Sequence, residues 1–298
     1  MIKLLLDILL LINNVIPLFF SIAVFAFLAI LLAKSIKRHA RIYYTVLAVP
    51  FVLTLVPFFL NMMGMDLPRL NRLPILSYFM RDYVHMATLG FPLLIIIMYM
   101  GALDVRNPYV ARLMSIRKEL SIIVGFPVLT HATLRAFNTF PTGWKFFFAH
   151  DDYMAEEHVS NILGAGISSF VFVLGIVMLA LFLILWITSF TAVRRRMGYR
   201  RWKRVQRWAY VLYGMLFIHS IGLQVGGLLN SKEKQNKPRI EMVAKGEPAK
   251  DKHHYGGLGE IEIDTNIKRY IHISSVVLIF GSYLILRVRK ASRSHRKA

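Results

Sequence analysis

Two histidines, His131 and His219, stand well inside apolar stretches of a chain that has ten histidines and no cysteine. The absence of cysteine removes thiol catalysis, disulfides, cysteine-held iron–sulfur clusters and thioether-attached haem, so metal or redox chemistry falls to imidazole, methionine and oxygen ligands. Each of the two histidines follows a basic segment by about 12 residues, or roughly 18 Å at 1.5 Å per helical residue. On two helices running the same way they lie level, and level imidazoles on neighbouring helices are what axial ligation of a b-type haem requires. The competing reading is that each makes an interhelical hydrogen bond, a common use of a single polar residue in a buried bundle. Arg135 follows His131 by one turn on the same face, where a guanidinium could hold haem propionates or simply snorkel to the membrane interface.

The elements that must position these residues are membrane helices. The sequence is 56% hydrophobic and 18% charged with a mean hydropathy of +0.52, which excludes an ordinary soluble domain. Seven apolar stretches meet or approach the roughly 20 residues that a bilayer core needs: 12–33, 42–61, 84–103, 120–137, 163–190, 208–228 and 270–286. The reading is an all-α polytopic bundle forming one integral membrane domain over residues 1–298. Lys34–Arg41, Arg106–Lys118, Arg194–Arg207 and Arg287–Lys297 together hold 22 of the 37 Lys and Arg residues. Nine of the others fall in the long 230–269 connection, which obeys the charge rule poorly, so the basic segments are assigned to the cytoplasm, with the N-terminus outside and the C-terminus inside. In such a chain the basic excess speaks of topology and anionic lipid, not of nucleic acid.

Residues 229–269 are expected to be a long flexible extracytoplasmic loop, since Ser231–Lys252 is rich in Lys, Glu, Gln and Pro and poor in large apolar side chains. Earlier in the chain, Phe140, Trp144 and Phe146–Phe148 precede Asp151, Asp152, Glu156 and Glu157, an aromatic belt followed by an acidic patch that could dock a basic partner. His85 and His272 open the third and seventh stretches and form a second candidate pair, for another haem or a quinone. His253 and His254 lie in a glycine-containing loop, His150 and His158 beside the acidic patch, and His39 and His295 in basic segments, where solvated roles suffice. Arg194–Arg207 carries eight basic residues around Trp202. Trp202 and Arg201 could hold a flavin, or the cations could fix topology and bind anionic headgroups. No Gly-x-Gly-x-x-Gly unit for a dinucleotide occurs.

The run from Ile187-Thr188-Ser189 through Arg194-Arg195-Arg196-Met197-Gly198-Tyr199-Arg200-Arg201-Trp202-Lys203-Arg204-Val205-Gln206-Arg207 and on to His219 resembles the ferric-reductase-like transmembrane domain. Within that class it is most similar to the haem-containing membrane subunit of the bacterial periplasmic methionine-sulfoxide reductase system (the MsrQ/YedZ type). Arg117-Lys118-Glu119-Leu120 followed by His131 resembles that family's other haem helix. The resemblance implies a six-helix core and a haem b held by His131 and His219. It further implies a cytoplasmic flavin reductase or quinone as donor, and a periplasmic reductase subunit or ferric iron as acceptor, in a bacterial inner membrane. Gln206 departs from the pattern: it stands where the family's Leu-His-Arg step has histidine, opposite Arg117 or Lys118. A second, inner haem at that level is therefore not expected.

The expectation from sequence is a membrane cytochrome b acting as an oxidoreductase electron-transfer subunit. Its rival is a cofactor-free transporter or assembly scaffold in which His131, His219 and Arg135 form a buried polar network. That rival calls for intramembrane acidic partners or broken helices, and Glu119 and Asp104 lie at span ends.

Overall fold

A computed structural model describes residues 15–65, 87–157, 161–245 and 264–295, with side chains described except at 155–157, 231–245 and 293–295. The described elements are all helical: α1 (Pro17–Leu31), α2 (Ala33–Arg38), α3 (Ala40–Met62), α4 (Gly90–Ala102), α5 (Pro108–Ser115), α6 (Arg117–Ile123), α7 (Gly125–Asn138), α8 (Phe140–Phe148), α9 (His150–Glu157), α10 (Ile162–Ile187), α11 (Thr191–Met197), α12 (Tyr199–Gln206), α13 (Ala209–Lys245) and α14 (Thr265–His295). Five helical stretches among them are long and apolar enough to cross a bilayer: Ala40–Met62, Arg117–Asn138, Ile162–Ile187, Tyr199–Asn230 and Thr265–Ser292. The other two stretches expected from sequence appear as the shorter apolar helices α1 and α4. The chain is an all-α polytopic membrane bundle. Large side chains such as Phe27, Leu31, Val46, Val177, Leu278 and Leu284 lie exposed on its outside, where hydrocarbon rather than water is the solvent.

α10 and α13 form the central pair, antiparallel and most closely packed. Glycine is what lets them approach: a Cβ at Gly222 would stand 2.4 Å from Val171 Cγ1, and one at Gly226 would stand 2.4 Å from Ser168 Oγ. One pair of their ends is joined by Asn161, whose Oδ1 caps α10 by accepting from Gly164 N–H at 2.9 Å, while its Nδ2 donates to the Leu229 carbonyl at 3.2 Å. Their other ends are joined by α12. Trp202 Nε1 donates to the Thr188 carbonyl at 2.9 Å, and Gln206 Nε2 donates to Thr188 Oγ1 at 2.9 Å and to the Leu185 carbonyl at 3.3 Å. The Trp202 indole thereby satisfies a carbonyl at the end of α10, and Gln206 joins an acceptor, the Leu185 carbonyl, that Thr188 and Ser189 hydroxyls also use.

α7 crosses α10 at Gly125, where a Cβ would fall 1.7 Å from Trp186 Nε1; that indole instead donates to the Ile122 carbonyl at 3.0 Å. Phe51, Phe126, Trp186 and Phe190 continue this contact as edge-to-face rings 5.1–6.0 Å apart. α4 is the most enclosed helix, with Leu93 through Met98 all buried. Its C-terminal carbonyls are capped by α14, where Arg287 donates to Gly101 O at 3.1 Å and Lys290 Nζ donates to Gly101 O and Leu103 O at 3.0 and 2.9 Å.

In one segment the architecture differs from the expected loop. α13 continues as helix through residues 231–245. Lys, Glu, Gln, Met and Ala are good helix formers, and a preceding span removes the cost of nucleation, so a stretch too polar to build a core still extends a helix. The remainder of that connection, 246–263, with His253 and His254, lies outside the described residues.

Candidate functional site

A cavity of about 470 Å³ opens between α4, α7, α10, α13 and α14. His131 and Arg135 enter it from α7, Gly175 from α10, His219, Ser220 and Gln224 from α13, and His272 from α14. The rest of the lining is apolar, including Phe91, Leu94, Val128, Phe172, Leu179, Phe182, Leu216 and Leu223. A mostly apolar cleft with a few convergent polar groups, in this size range, is the usual form of a cofactor site.

The His219 ring is fixed by the α10 backbone. Its Nδ1 lies 2.8 Å from the Val171 carbonyl oxygen, and since a carbonyl only accepts, Nδ1 carries the proton and Nε2 keeps its lone pair. Gly175 stands beside the same ring, where a Cβ would lie 3.5 Å from His219 Cε1. The third cavity histidine is engaged differently. His272 Nε2 is 3.0 Å from Ser220 Oγ, and its ring stacks on Phe91 with centroids 6.3 Å apart and planes at 29°.

The structure therefore brings together His131, Arg135 and His219, the residues singled out in the sequence, and adds His272 to them. His85 lies outside the described residues, so the pair it would form with His272 falls there too; His272 itself lines the cavity of His131 and His219. Trp202 and Arg201 do not line that cavity. Arg201 is exposed, and the Trp202 ring is covered by the Arg194 guanidinium at 4.5 Å and flanked by Tyr199 at 6.0 Å. Gln206, the departure from the family pattern, is bonded to the end of α10 as described above. Sequence reasoning missed Ser220, Gln224, Gly175 and the Val171 carbonyl. Gln224 was accessible in principle, as an uncharged polar residue one and a half turns beyond His219; a backbone carbonyl leaves no sequence signal.

The donor set fits a porphyrin iron better than a bare metal ion. Among the described residues no group of three or more His, Cys, Asp or Glu side chains could hold a metal, whereas a porphyrin brings four nitrogens and asks the protein for only two imidazoles. A neutral imidazole whose second nitrogen is hydrogen-bonded to a backbone carbonyl is the usual arrangement of an iron-ligating histidine.

The fold and this cavity define an all-helical polytopic membrane protein with a histidine-lined intramembrane site. Residues 84–217 match the family model of the ferric reductase like transmembrane component. The match takes in His131 and ends just short of His219. The chain is also 31% identical over 191 residues to a protein of Treponema pallidum (strain Nichols) described as an uncharacterized protein. That similarity covers 60% of this chain and 37% of the relative, so the chain spans little more than a third of that relative's length. No solved structure matches.

Proposed function

We propose that the chain is a membrane-embedded b-type cytochrome that carries electrons across the bilayer, in which His131 and His219 would hold one haem. The observation that carries the reading is the single cavity lined by both histidines, in which the Val171 carbonyl holds the His219 proton on Nδ1 and leaves Nε2 free to bind iron. Similarity to the ferric reductase like transmembrane component over residues 84–217 supports it. A bound haem supplies an iron that cycles between ferric and ferrous states. The protein's part is to present two neutral imidazoles from α7 and α13, to keep water away with the apolar lining, and to place Arg135 where it can neutralise a carboxylate. The His219–Val171 hydrogen bond fixes the ring and raises the basicity of Nε2, which favours the ferric state.

On this reading electrons enter from a cytoplasmic flavin or a quinone and leave to an extracytoplasmic acceptor, either a reductase subunit of the methionine-sulfoxide type or ferric iron. The basic segments face the cytoplasm of a bacterial inner membrane and the C-terminus lies inside.

The test is a dithionite-reduced minus oxidised visible spectrum of the detergent-purified protein, with haem quantified per chain. The expected result is a b-type α-band at about one haem per chain, lost in both His131→Ala and His219→Ala. A colourless wild-type protein from haem-sufficient cells would sink the cytochrome and leave a cofactor-free transporter or scaffold, whose polar network would be the same histidines.

A further inference from the structure

The cavity makes no use of a dense cluster of exposed cations elsewhere among the described residues. Eight cations, Arg194, Arg195, Arg196, Arg200, Arg201, Lys203, Arg204 and Arg207, fall within Thr191–Arg207, a stretch without a single Asp or Glu, and all eight are exposed. No carboxylate pairs with any of them among the described residues. The two that have partners use aromatic rings: Arg194 over Trp202 at 4.5 Å and Lys203 over Tyr199 at 5.8 Å.

Two further observations say where this surface lies. α12 is strongly amphipathic, with Trp202, Val205 and Gln206 half-buried, the first and last bonded to the end of α10, and Arg200 and Arg204 on the other side. Tyr199 and Trp208 flank it at 58% and 55% exposure, next to the apolar spans α10 and α13. Exposed tyrosine and tryptophan at the end of a span mark the headgroup layer. The helix continues the line of α13 beside the end of α10, so its cations stand just beyond the apolar spans, at the depth of lipid phosphates. Six unpaired guanidiniums in a segment that short repel one another unless anions come between them.

We infer that α11 and α12 form a docking platform for anionic phospholipid headgroups, and that the occupied platform stabilises the α10–α13 pair through Trp202 and Gln206. The chemistry recognised is the phosphate diester of an acidic lipid, attracted by the clustered cations. This inference stands apart from the haem reading, since the platform and the cavity share no residue.

The experiment compares nanodiscs of phosphatidylcholine alone with nanodiscs of equal parts phosphatidylcholine and phosphatidylglycerol. Melting temperature is measured in each, together with acidic lipid retained after transfer to detergent. Wild type is expected to melt several degrees higher with phosphatidylglycerol and to carry acidic lipid into detergent, with both effects fading at high salt. In the triple variant Arg196→Gln/Arg200→Gln/Arg204→Gln the preference for acidic lipid should weaken by roughly a hundredfold, the scale of three cation–headgroup contacts near a surface. Neutralising two cations elsewhere, Arg112→Gln/Arg289→Gln, should leave it. The corresponding triple lysine variant keeps the charge and should retain most of the preference, which separates loss of binding from loss of folding. Equal melting of wild type in both nanodiscs, with no salt effect, overturns the platform. So does a shift produced by flavin mononucleotide or pyrophosphate in wild type that acidic lipid does not produce, because the patch would then serve a soluble phosphate.

Discussion

His219 shows how much of a site a single side chain can carry and how much it borrows. Its place in an apolar span made it conspicuous in the sequence, because an ionisable residue is expensive there and rarely idle. The features that would suit it to hold a haem on the proposed reading were not legible. The Val171 carbonyl belongs to a residue whose side chain is plain hydrocarbon, and Gly175 matters for what it omits. Gly175→Ala should be tolerated, since its Cβ would meet the ring at an ordinary 3.5 Å. Gly175→Leu should displace His219 and lower haem per chain severalfold, read from the reduced α-band against total protein. His272 makes the opposite prediction. It is bonded to Ser220, so His272→Ala should keep the haem and cost about 1 kcal/mol of stability, the scale of one buried hydrogen bond. Loss of haem in that variant would move the ligand pair.

Among helices, five of the seven stretches marked in the sequence are long and apolar enough to cross the membrane, and the sequence left hidden how closely they meet. Hydropathy marked α10 and α13, yet nothing in it distinguishes Gly125, Gly222 and Gly226, where a neighbouring side chain occupies the space of a Cβ, from Gly101 and Gly281, where a Cβ would meet open space. The 231–245 helix was missed because composition reports on burial, and helix formation there needs none. Gly125→Ala should push the Trp186 indole off the Ile122 carbonyl and destabilise the bundle by about 1–3 kcal/mol, the cost of overpacking a close contact. Combining it with Trp186→Leu should recover part of that loss. Strict additivity of the two melting shifts would show that they do not touch.

For the molecule as a whole, the composition excluded a soluble fold at once, and the all-helical membrane bundle was legible in full. Sidedness rests on the placement of 22 of 37 basic residues in four segments and is checked by reporters fused after Arg207 and at the C-terminus, both expected to be active in the cytoplasm. A cofactor that binds only the folded bundle stabilises it by mass action. Protein made in haem-starved cells should therefore melt several degrees lower than protein made with haem, and added haemin should restore the difference in wild type and in neither histidine variant.

The cavity walls come from helices far apart in the chain, and that ordering has a consequence for biogenesis. α7 and its histidine reach the bilayer long before α13 leaves the ribosome, and α14 closes the pocket last. A chain halted at the end of α10 has one imidazole and half a wall. On the haem reading, cofactor capture is then a late event that reports synthesis through α14. The amount of closed bundle in the membrane would then follow haem supply.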